Sequence, residues 1–229
     1  MIFFLITTIV YLAVLLLIRP APLSLKAAPL TYSQNMKSVW ASMLSGAAIL
    51  FIFLVTTNFS FTKVDEHLYF LLSLNNNPEK ASYWPLQSFS HLFLHANIIH
   101  LFSNVAGLGL ASAYERRVGA KRFFTVLFVG CVASIPSIFF YSGTVTLCGI
   151  SGGVFGLAAA FFTDEDKLNL KEWWTAIILF AVIAAILAIQ DEFKSKDILL
   201  NLRVDYIGHA LGALGAIVYC CWKPISKNN

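Results

Sequence analysis

Residues 150–163 read ISGGVFGLAAAFFT. The run carries no charge, and its single serine and three glycines all lie in its first half. As a helix it spans about 14 residues, or roughly 20 Å at the helical rise, against a hydrocarbon core of about 30 Å. A membrane helix this short must begin below the bilayer surface. The segment ahead of it, SGTVTLCG (142–149), then lies at a depth where irregular backbone is tolerated only if protein or a water-filled cavity surrounds it. Ser151 is thereby placed at the floor of such a cavity.

The rest of the chain supports a membrane setting. Of 229 residues, 58% are hydrophobic and 12% charged, half the roughly 25% charge of an ordinary soluble domain, and the mean hydropathy is +0.74. The apolar residues come in long runs, and spans are predicted at 1–18, 40–57, 94–113, 122–141, 150–163, 172–190 and 204–222. The fold class is therefore an all-α polytopic membrane protein with seven spans. A soluble globular enzyme, a disordered chain and a nucleic-acid partner are set aside. The first run could be a signal peptide, but no basic residue precedes it and no small-x-small cleavage site follows, so it reads as a retained helix. Cys131, Cys148, Cys220 and Cys221 fall in or beside apolar runs without a CxxC pair and read as packing residues.

Orientation follows from the basic residues. Arg19, Lys26, Lys37, Arg116, Arg117, Lys121, Arg122, Lys167, Lys171, Lys223 and Lys227 lie on connections of one parity, eleven of the sixteen in the chain. Those connections are expected on the cytoplasmic side, which puts the N-terminus and the long 58–93 connection outside.

Ionisable and amide groups within spans are costly and are functional candidates by default. Here they are His91, His95, His100, Asn104, Glu115, Asp205 and His209. In HLFLHANIIHLFSN (91–104), the pair His91 and His95 and the pair His100 and Asn104 are each four apart, the spacing of one helix face. His100 and Asn104 are both able to donate hydrogen bonds toward one point. In GISGG (149–153) and DYIGHALGALG (205–215), glycines line the helix faces: Gly152 with Gly156 on one helix, and Gly208, Gly212 and Gly215 on the other. Two helices packed through these faces can bring His209 to Ser151 as a general base, the minimal unit of nucleophilic catalysis.

In this ordered set the chain resembles a rhomboid intramembrane serine protease. The likeness covers about 40–222 and consists of His95, His100 and Asn104 in HxxxxHxxxN, Glu115 and Gly119, Gly149, Ser151 and Gly152 in GxSG, and His209 and Gly212 in HxxG. It implies a six-helix bundle with one added N-terminal helix. Residues 1–39 would be that helix and a basic cytoplasmic linker, 40–222 the catalytic domain and 223–229 a cytoplasmic tail. It implies a serine–histidine dyad with Ser151 as nucleophile and His209 as base. His100, Asn104 and the Ser151 N–H would form the oxyanion hole, His95 would support the external loop, and Phe155 would pack under the histidine. Asp205, one turn before His209, could pair structurally or orient the imidazole as a triad acid does. Glu115 reads as a helix-end anchor. Leu86-Gln87 stands where many members have Trp-Arg, and Gly208 where alanine is common.

The implied partners are single-span membrane-protein substrates in a lipid bilayer, with no cofactor and no metal expected. The 172–190 span, which lacks internal charges, is where a substrate helix is expected to pass. Small size and short loops point to a bacterial plasma membrane, with the site opening to the external or periplasmic side. Two rivals stand beside this reading: a membrane metal-dependent hydrolase using His91, His95, His100, Asp205 and His209, and an inactive rhomboid-like scaffold that binds membrane proteins.

Overall fold

The computed structural model describes residues 31–62, 64–164 and 204–225. The spans expected at 1–18 and 172–190, and with them the seven-span count, lie outside the described residues. Within those residues the chain forms α1 (Tyr32–Lys37), α2 (Trp40–Thr56), α3 (Glu66–Leu72), α4 (Trp84–Ser90), α5 (Ile98–Val118), α6 (Ala120–Ser134), α7 (Ser151–Thr163) and α8 (Tyr206–Trp222). Two 3-10 segments, Pro78–Tyr83 and Ile135–Phe140, join them. A two-residue strand pair is added: β1 (Leu74–Asn75) runs antiparallel to β2 (Thr146–Leu147). It ties the connection after α3 to the stretch that leads into α7.

The expected spans 40–57, 150–163 and 204–222 coincide with α2, α7 and α8 to within two residues. The span expected at 94–113 is shifted. Asn97 takes an extended conformation and its side chain accepts from the His100 N–H at 2.9 Å, so α5 starts at Ile98. The helix ends at Gly119, whose φ of 80° lies in the left-handed region where glycine is favoured. His91 and His95 therefore precede the helix and do not share a helix face, which corrects the reading of that pair. The expected 122–141 helix is α6 for its first part and 3-10 after Ser134, where Pro136 removes a backbone donor.

Glu115 explains how α2 is seated. The carboxylate is fully buried and accepts from the Ala41 N–H and the Ser42 N–H at 2.8 Å each and from the Ser42 hydroxyl at 2.7 Å. It fills the orphan donors of the α2 N-terminus from 74 positions away, so the helix-end anchor is what the structure shows. At the same end of the bundle, Asp164 accepts from Arg122 Nη2 at 2.8 Å and Nε at 3.0 Å and from the Tyr114 hydroxyl. Arg117 donates to the Phe161 carbonyl at 2.7 Å, near the last turn of α7.

α6, α7 and α8 pack through small residues. A Cβ on Gly156 would stand 3.1 Å from Gly130 Cα and 3.2 Å from the Gly212 carbonyl, so this junction admits no side chain without moving a backbone. Phe51, Leu110, Phe128, Leu214 and Val218 face outward from four helices, an apolar exterior suited to lipid. Among the described residues, Ala120–Phe140 is the one helical stretch long and apolar enough to cross a bilayer on length and composition alone; α2, α7 and α8 are apolar but shorter.

Candidate active site

Ser151 is the first residue of α7. The leading N–H groups of a helix have no intrahelical acceptor, and they point with the positive end of the helix dipole toward whatever sits there. Gly149, two residues earlier, has a φ of 107°, a conformation that side chains resist. Space demands glycine there as well. A Cβ would lie 2.7 Å from Cε1 and Nε2 of His100 and 3.6 Å from Asn104 Nδ2. The two side chains placed one turn apart on α5 thus converge on the backbone immediately before Ser151. Asn104 Nδ2 also donates to the His100 carbonyl at 3.1 Å.

His209 reaches the same place from the first turn of α8. Its Nε2 is 2.8 Å from Ser151 Oγ, joining residues 58 positions apart. Phe155, one turn along α7, lies flat against the imidazole with ring centroids 4.3 Å apart and planes 9° apart. The other ring nitrogen, Nδ1, is buried without a hydrogen-bond partner. Asp205 does not take the place of a triad acid. Its oxygens accept from the Gly208 N–H, the Tyr141 hydroxyl and the Ser137 hydroxyl, and none bonds the imidazole. A cleft beside this contact is lined by His91, Cys148, Gly149, Gly152 and Asp205 together with Ser151 and His209.

His95 is fully buried. Its Nδ1 is 3.1 Å from the Phe93 carbonyl, and its ring centroid lies 5.0 Å from that of His100. It backs His100 and does not face Ser151 through any bond seen here. His91 Nδ1 donates to the Gln87 carbonyl at 2.7 Å, and the His91 carbonyl accepts from the Gly149 N–H at 2.7 Å. Gln87 itself is buried. Its amide oxygen accepts from Asn75 Nδ2 at 3.1 Å and its Nε2 donates to the Leu71 carbonyl at 3.2 Å. A glutamine therefore braces the 58–93 connection at the point where many members of the resembled family have arginine. Among the described residues no three His, Cys, Asp or Glu side chains converge in a metal-binding group.

The site also contains residues that the sequence reading did not single out. Ser134 abuts Gly152, while Ser137 and Tyr141 hold Asp205. A hydroxyl ahead of an apolar run carries no distinctive spacing, and the long-range partner that gives each its role is invisible in one dimension.

The sequence profile of the family described as Rhomboid domain matches residues 80–223, more than half of the chain. The chain belongs to the rhomboid family. Membership makes it a helical integral membrane protein, in a family that includes both intramembrane serine proteases and inactive members. A comparison with curated proteins gives no significant match. The matched region of this rhomboid protein contains Ser151, His209, His100 and Asn104, and begins ahead of the α4 segment that carries Gln87.

Proposed function

We propose that this protein is an intramembrane serine endopeptidase that hydrolyses a peptide bond in or near a transmembrane helix of another membrane protein. The observation that carries the reading is the 2.8 Å contact between His209 Nε2 and Ser151 Oγ. That is the reach a general base needs to take a hydroxyl proton. In the proposed reaction, Ser151 Oγ attacks the scissile carbonyl as its proton passes to His209 Nε2. The oxyanion that forms is stabilised by His100 and Asn104, which face the turn at Gly149, and by the Ser151 N–H. His209 then returns the proton to the leaving amine. Water, activated by the same imidazole, cleaves the acyl-enzyme ester and restores the serine. The reaction needs no metal or other cofactor.

The catalytic unit proposed is 40–222, with 1–39 as an added helix and linker, and 223–229 as a tail. The weight of Lys and Arg supports an orientation with Glu115, Arg117 and Arg122 at the cytoplasmic end and the dyad opening externally; the small size and short loops favour a bacterial plasma membrane. The substrate class is a single-span protein whose helix unwinds readily near its external end.

The test is reconstitution of the full chain in liposomes with a single-span test substrate, comparing wild type with Ser151→Ala. Cleavage by wild type that vanishes in the folded variant supports the dyad. Cleavage that survives the substitution refutes it, and wild type that cleaves no member of a substrate panel favours the scaffold reading.

A further inference from the structure

The start of α8 is held by more than a helix N-terminus requires. Asp205 is its N-cap, and Oδ1 accepts from the Gly208 N–H at 2.7 Å, the ordinary capping bond. The same carboxylate takes two further bonds from far along the chain: the Tyr141 hydroxyl reaches Oδ1 at 2.7 Å and the Ser137 hydroxyl reaches Oδ2 at 2.6 Å. Ser137 lies in the 3-10 segment Ile135–Phe140, and Tyr141 follows it directly. From there the chain runs through β2 to Gly149 and Ser151. Gly208 belongs to the same arrangement, because a Cβ at that position would collide with the Asp205 carboxylate.

A glycine-lined junction explains why such a tie is needed. Between α6, α7 and α8 the backbones approach closely at Gly130, Gly156 and Gly212. Smooth faces allow close approach but offer few interlocking side chains to set how far one helix slides along another. A dyad tolerates little sliding, since a misplacement of about 1 Å can cost on the order of a hundredfold in rate.

The geometry points to Asp205, Ser137, Tyr141 and Gly208 as a latch of positioning residues that fixes the start of the His209 helix to the segment leading into Ser151, and so sets the dyad distance. This rests on the reading of Ser151 and His209 as a catalytic pair. The hydrogen bonds of the Asp205 carboxylate go to Gly208, Ser137 and Tyr141, and none goes to the imidazole. The effect of the latch is carried by the backbone, from the capped first turn to His209, whose N–H donates to the Asp205 carbonyl at 2.9 Å.

The test uses the full chain in proteoliposomes, with labelling of Ser151 by a fluorophosphonate probe as a substrate-independent readout and kcat and KM on a test substrate where one is cleaved. Asp205→Ala is expected to slow labelling about ten- to a hundredfold, with kcat lowered and KM unchanged. Asp205→Asn, which still caps and still accepts from Tyr141, restores most of the rate. Gly208→Ala alone also slows labelling, yet Asp205→Ala/Gly208→Ala is no slower than Asp205→Ala, because the carboxylate that the new methyl would strike is gone. Ser137→Ala and Tyr141→Phe each remove one donor, are milder to folding, and have no further effect once Asp205 is alanine. Asp205→Ala labelling at the wild-type rate, multiplying losses in the double variants, or losses that merely follow a fall in thermal unfolding midpoint would overturn the latch while leaving the dyad intact. Wild type labelled no faster than Ser151→Ala would instead overturn the dyad reading, and the latch with it.

Discussion

Replacing Phe155 with leucine removes the aromatic face beneath His209. The rings are 4.3 Å apart and within 9° of parallel, and Nδ1 of the imidazole has no hydrogen bond to hold it. The bond to Ser151 and this stack are therefore the specific restraints seen on the ring. Phe155 also packs with Ala159 and Ala213, so alanine would open a cavity, whereas leucine keeps most of that apolar volume. A stacked aromatic pair contributes about 0.5–1.5 kcal/mol beyond its buried area. If that orientation energy is lost from the transition state, kcat falls about 2- to 12-fold, with each 1.36 kcal/mol equal to about a factor of ten. Tyrosine at the same position keeps the ring and is expected to retain most of the activity. The assay is the initial rate of cleavage of a saturating single-span substrate in proteoliposomes, with the unfolding midpoint measured in parallel. An unchanged kcat in Phe155→Leu, or a loss in Phe155→Tyr as large as in Phe155→Leu, refutes the idea that stacking orients the base.

Three other outcomes are expected. Asn104→Ala lowers kcat by about 10²- to 10³-fold, the usual loss of one oxyanion donor; steady-state rates at saturating substrate check this, and a change confined to KM would contradict the role. Glu115→Ala leaves two buried N–H groups at the start of α2 without their acceptor, while the Ser42 hydroxyl keeps the Val39 carbonyl; at about 1–3 kcal/mol for each N–H this destabilises the fold by about 2 to 6 kcal/mol in a denaturation titration. A loss under about 1 kcal/mol would mean that water replaces the carboxylate. Gly156→Val pushes a side chain against Gly130 and the Gly212 carbonyl and is expected to cost about 1–3 kcal/mol of stability, as overpacking does, with loss of Ser151 labelling. A variant with wild-type stability would show that α7 and α8 are not in the close contact described.

Much of the site was legible because its signals are local. The four-residue step from His100 to Asn104 puts both on one face of α5, and the structure aims both at Gly149. The short apolar run after Gly149 marked a short helix with Ser151 at its head. Glycines on α7 and α8 announced a close packing that brings His209 to that head. Less was readable where a side chain's partner lies far away in sequence. His91 and His95 had helical spacing, yet the Asn97 cap starts the helix after both of them. Asp205 had the position of a triad acid, but Ser137 and Tyr141 claim its oxygens, and a hydroxyl in an apolar stretch gives no hint of such a claim. Likewise, the β1–β2 pair has only two residues in each strand, too few for any period to show.

The 13-residue α7 carries Ser151 at one end, and at the other its C-cap residue Asp164 grips Arg122 and Tyr114 while Arg117 takes its last carbonyls. On the proposed chemistry this helix is a ruler with a fixed foot. The depth at which a substrate is cut is then measured from this polar cluster, at about 1.5 Å per residue of helix. Substrate choice becomes a matter of which bond in an unwinding helix hangs at that level, with side-chain identity a secondary filter. Shifting a substrate's span by a few residues relative to its flanking charges should move the cut along its sequence while keeping the cut at the same height in the bilayer.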